Sequence, residues 1–66
     1  MDNYKWDAYV DIELVDCECN PFTIHEHFVM DEYEDQFSVY MKAVTKARSL
    51  INTKHPGCWI SKIELA

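Results

Sequence analysis

From Tyr4 to Leu14 every even position is apolar or aromatic (Tyr4, Trp6, Ala8, Val10, Ile12, Leu14), while the odd positions carry Lys5, Asp7, Tyr9, Asp11 and Glu13. Side chains of an extended chain alternate between two faces, so this period of two predicts a strand over about residues 4–15 with one buried face. Asn20-Pro21 then interrupts the pattern, because Pro has no N–H and Asn tolerates turn geometry. Alternation resumes with Phe22, Ile24, Phe28 and Met30 against Thr23, His25, His27 and Asp31, which predicts a second strand over about residues 22–30. Two such strands joined by a short loop form an antiparallel hairpin.

After Asp31 the period lengthens. Phe37, Tyr40, Met41, Val44, Ala47, Leu50 and Ile51 recur at three- and four-residue spacing and predict a helix over about residues 32–54 with that stripe inward. Asp31, Glu32, Glu34 and Asp35 stand where acids favour a helix start, and Lys46, Arg48 and Lys54 stand toward its end. His55-Pro56-Gly57 stops the helix. Trp59, Ile63 and Leu65 against Lys62 and Glu64 predict a last strand over about residues 58–65, with Ile60 off the alternation. This reading assigns Tyr40 and Trp59 to the core and makes Cys58 a small buried residue.

The expected fold class is α+β. The order strand, strand, helix, strand (β-β-α-β) predicts one domain over residues 1–66, an antiparallel-type three-stranded sheet with one helix packed on one face. A crossover from the second strand places the third beside the first and antiparallel to it. The helix covers the even face, including Trp6, Ala8, Val10, Ile12, Phe22, Ile24 and Phe28, and the odd face stays open.

Charge marks that open face as acidic. Residues 1–35 hold eleven acids against Lys5 alone, a balance of −10, whereas residues 36–66 balance at +4, giving the net −6. The apolar content of 48% supports a folded chain despite that charge. With a pI near 4.7, direct nucleic-acid or membrane binding is disfavoured, since phosphate contacts need clustered cations. No apolar run reaches membrane-span length and Met1-Asp2-Asn3-Tyr4-Lys5 does not open like a signal peptide, so the expected setting is cytoplasmic. Three cysteines in that setting are expected as reduced thiols.

Cross-strand partners point to the same side, so the odd face gathers acids with Tyr9, Cys17, Cys19, His25 and His27. Carboxylates at alternate strand positions lie roughly 6.6–6.8 Å apart, near the spacing of successive phosphates. The face is therefore expected to meet a basic protein surface, with Asp7, Asp11, Glu13, Glu26 and Asp31 toward Lys and Arg of the partner and Tyr9 as an apolar anchor. The plainer alternative is a solvated acidic face, or a passive accessory subunit.

Cys17-Glu18-Cys19 and His25-Glu26-His27 raise a second possibility. A register pairing Cys19 with His25 and Cys17 with His27 would gather a Cys2His2 set suited to zinc in a small interaction module, although a one-residue gap between the cysteines is shorter than usual for structural zinc. Otherwise no cofactor is expected. A Cys–His pair on a flat sheet lacks an orienting third group and a pocket, so no enzyme is expected either.

As architecture, from Tyr4-Lys5-Trp6 through the Phe37-to-Ile51 helix to Trp59-Ile60-Ser61-Lys62-Ile63, the chain resembles the small acidic inhibitors that tailed phages make against host enzymes. These include phage RNA polymerase inhibitors, uracil-DNA glycosylase inhibitors and anti-CRISPR proteins. The resemblance carries no residue correspondences. It implies a non-enzymatic host-takeover protein, in some cases a DNA mimic, acting in the host cytoplasm on a nucleic-acid-handling enzyme, with homodimerisation an option.

Overall fold

The computed structural model of the chain describes residues 4–66. Asp2, one of the acids counted above, lies outside the described residues. Strand β1 spans Lys5–Val15, β2 Pro21–Asp31, helix α1 Gln36–Thr53 and β3 Trp59–Leu65. The sheet order is β2-β1-β3, with β1 antiparallel to both neighbours, so the α+β arrangement is as expected and the third strand lies beside the first, as the crossover places it.

Loop chemistry sets the hairpin register. Asp16 closes the loop by accepting the backbone N–H groups of Glu18 and Asn20, each at 2.9 Å, while its own N–H donates to the Asn20 carbonyl at 3.1 Å. Val15 then pairs with Pro21, and even residues face even residues along the whole ladder. Trp6 adds an indole N–H donation of 2.8 Å to the Asp31 carbonyl at the far end.

The core lies between the even face and α1, with Val10, Ile12, Leu14 and Met30 fully enclosed against Val39, Ala43 and Ala47. Here the helix departs from the expected stripe. Its buried positions are Val39, Ala43, Ala47 and Leu50, while Phe37 (75% exposed), Met41 (62%) and Tyr40 (47%) turn outward. Apolar residues occupy more than half of the helix circumference, and the side with the two alanines lets the helix approach the sheet closely. The larger residues are left on its flank.

The helix also starts later than expected. Asp31 to Glu34 form a turn, in which the Glu34 carboxylate accepts the Asp31 N–H at 3.0 Å, and Asp35 is the N-cap, accepting the Ser38 N–H at 3.2 Å. The acids thus precede the first turn. At the other end Lys54 and His55 donate to the Leu50 carbonyl, and Gly57, at φ +87°, provides the left-handed residue of the reversal into β3.

A bulge corrects the last strand. Glu13 pairs with Lys62 but Leu14 with Ile60, so Ser61 is the extra residue and parity shifts there. Ile60, Ile63 and Leu65 take the helix side, and Trp59, opposite Val15, sits on the open face at 48% exposure instead of in the core.

Eleven-residue strands run about 37 Å, whereas an eighteen-residue helix runs about 27 Å. One helix cannot cover the whole hairpin, and Phe22, Ile24 and Phe28 on β2 remain half-buried.

Candidate interaction face

The open side of the sheet is built on β1. Asp7, Tyr9, Asp11 and Glu13 rise from alternate positions of the central strand, whose other face is locked into the core by Ala8, Val10, Ile12 and Leu14. The column is held rigidly because a one-residue slip would move the entire apolar set into solvent.

Each carboxylate has a basic neighbour. His25 stands directly opposite Asp11, with its Nδ1 2.5 Å from Oδ1. His27 stands opposite Tyr9, stacks on it at 4.9 Å between ring centres, and reaches diagonally to Asp7 with Nε2 2.8 Å from Oδ1. A carboxylate only accepts, so the imidazole nitrogen carries the proton in both pairs. On the other side of β1, Lys62 lies opposite Glu13 and pairs with Glu64 at 3.0 Å. That hydrogen bond, followed by the charges of Glu64 and Glu13, holds the Lys62 ammonium above its usual pKa. Asp31 lies at the strand end opposite Lys5, on the same face.

Glu26 does not belong with them. It pairs with Val10 and so takes the helix side of the sheet, on the outer strand β2. A charge pointing inward on an edge strand discourages pairing with another sheet, a structural role distinct from the contact expected of it.

The four zinc candidates are likewise separated. The loop takes Cys17 and Cys19 out of the strand, Cys19 in left-handed geometry at φ +65°, while His25 and His27 face Asp11 and Tyr9 rather than the cysteines. Among the described residues no three potential ligands converge. Cys17, Cys19 and Cys58 are free thiols, and partial burial, then Asp16 and Cys17, push the Cys58 thiol upward.

Sequence reasoning set Lys62 and Glu64 on the polar side of the last strand without joining them to the acidic column, missed Trp59 as a member of this face, and missed the histidines as partners of the acids. Direct pairing of β3 with β1 was the available signal; the bulge at Ser61 concealed its consequence. Among the described residues no helix is long and apolar enough to cross a membrane.

Comparison of the chain with protein-family models, with curated proteins and with solved structures returns no match.

Proposed function

We propose that the chain is a small acidic binding protein that engages and inhibits a nucleic-acid-handling enzyme, through the open sheet face. One observation carries this reading: Asp7, Asp11 and Glu13 form a single column on the uncovered side of β1, with Tyr9 exposed by 56% between the first two. Asp11 and Glu13 stand at phosphate-like spacing and Asp7 lies two such steps before Asp11, beyond the rigid Tyr9 ring, an arrangement that suits a groove lined with Lys and Arg. Asp31 extends the row along β2, whereas Glu26 has no part in it. His25 and His27 hold Asp11 and Asp7 in place, and cations of the partner compete with them for the same oxygens, while Lys62, opposite Glu13, is paired with Glu64. The protein acts as a binder rather than a catalyst, needs no metal, and works in the cytoplasm, where its three thiols stay reduced.

The test is affinity capture from a host lysate with the native chain and with the triple variant Asp7→Asn, Asp11→Asn, Glu13→Gln. Recovery of a nucleic-acid enzyme by the native chain alone, together with inhibition of that enzyme in a purified assay, supports the reading. Equal recovery by both, or capture without inhibition, counts against it.

A further inference from the structure

The two edges of the sheet are not equivalent. On the β2 edge the nearby side of α1 is polar: Ser38 borders the turn at Asp31–Glu34, and Lys42 lies 4.0 Å from Glu34. On the β3 edge the helix presents its apolar flank, where Phe37 and Tyr40 meet Leu65 and Met41 follows them along the outer side. Phe37, Tyr40 and Leu65 line one shallow hollow, and Met41 is exposed one helical turn after Phe37, so large apolar side chains stand open beside this edge.

Beside that flank runs the free edge of β3. Ala66 donates its N–H to the Tyr9 carbonyl, and Glu64 and Lys62 lie opposite Asp11 and Glu13. Antiparallel alternation therefore turns the N–H and C=O groups of Ile63 and Leu65 away from β1, toward the open edge.

We propose that this edge pairs with the same edge of a second copy, antiparallel about a two-fold axis at Ile63, giving one six-stranded sheet with both helices on one face. Charge selects the register. Pairings that keep apolar side chains on the helix face and engage more than three residues of each edge are centred on Lys62, Ile63 or Glu64. The first sets Lys62 against Lys62 of the second copy, and the last sets Glu64 against Glu64, each a like-charge contact directly across a strand pair. Centring on Ile63 sets Lys62 of each copy against Glu64 of the other, twice, and leaves the isoleucines facing each other on the apolar side.

The same register suits the helices. α1 runs antiparallel to β3, since Phe37 and Tyr40 near its start lie at Leu65 near the strand's end. The two-fold then brings the apolar flanks of two antiparallel helices side by side, roughly two to three strand spacings of about 4.8 Å apart, a gap that Tyr, Phe and Met side chains bridge. The β2 edge offers no comparable match, because its inward Glu26 and polar helix side oppose closure. This dimer is independent of what the acidic face binds, and the two acidic faces come to lie on one side of the joint sheet.

Sedimentation of the full chain from low to high micromolar concentration tests the proposal, together with amide exchange. The native chain sediments as a dimer at the upper end, with the Ile63 and Leu65 amides protected only there. Met41→Lys, exposed and away from the core, yields a monomer with unchanged circular dichroism. Lys62→Glu and Glu64→Lys each weaken dimerisation at least tenfold, and the double exchange restores it. A native chain that stays monomeric at high micromolar concentration overturns the proposal. So does a dimer indifferent to Met41→Lys and to both charge changes.

Discussion

Asp11 and His25 face each other directly across the first two strands, carboxylate oxygen 2.5 Å from Nδ1, on the side of the sheet that no helix covers. Both side chains are substantially exposed, and exposed ion pairs contribute little. A double-mutant cycle of Asp11→Asn and His25→Gln in urea is therefore expected to give a coupling of less than about 1 kcal/mol. A coupling several times larger would make the acidic column part of the folding machinery rather than a surface available to a partner.

Asp16 is a different kind of acid. It accepts two backbone N–H groups that fix the loop and, through it, the register of the hairpin. Asp16→Ala is expected to lower stability by about 1–2 kcal/mol, and Asp16→Asn, which keeps an accepting oxygen, by less. Urea denaturation of both variants checks the order.

The hairpin was legible because burial of one face writes a period of two into β1 and β2. Its register was not, since it depends on Asp16 closing a loop that begins right after Val15 and so withdraws Cys17 and Cys19 from the strand. The helix was legible as an element but not in rotation. With apolar residues over most of its circumference, close approach to the sheet favoured the alanine side, a preference that pattern reading tuned to large residues reverses. One inserted residue at Ser61 changed the parity of β3 and moved Trp59 between faces. The acidic column of Asp7, Asp11 and Glu13 was readable because it lies before any such irregularity; Glu26 was misplaced because its parity was overlooked in favour of its charge.

The rotation of the helix has a measurable consequence. Ala43 is fully buried, whereas Met41 lies on the outer flank. Ala43→Leu overpacks the core and is expected to cost about 1–3 kcal/mol. Met41→Gln, measured at low micromolar protein, is expected to change stability by no more than about 0.5 kcal/mol. Thermal or urea melts that reverse this order would restore the stripe expected from spacing alone.

The three thiols should react unequally. Cys17 and Cys19 lie exposed in the loop, while Cys58 is half-buried and its pKa is raised, by burial first and then by Asp16 and Cys17. Less thiolate is then present on Cys58 at a given pH, so alkylation at pH 8 followed by mass spectrometry is expected to label Cys17 and Cys19 first. The lag of Cys58 should shrink as pH rises, because its thiolate fraction increases.

On the proposed function, the open face of the sheet binds a basic enzyme surface by charge. The most direct measurement of that contact is the affinity for the captured enzyme as salt is raised from about 50 to 500 mM, across which the screening length falls from roughly 14 to 4 Å. For the native chain, affinity should fall steadily with salt. The Asp7→Asn, Asp11→Asn, Glu13→Gln variant should bind at least about tenfold more weakly at low salt, with a shallower dependence. An affinity that is flat across the salt range, and equal for the two proteins, would contradict the account.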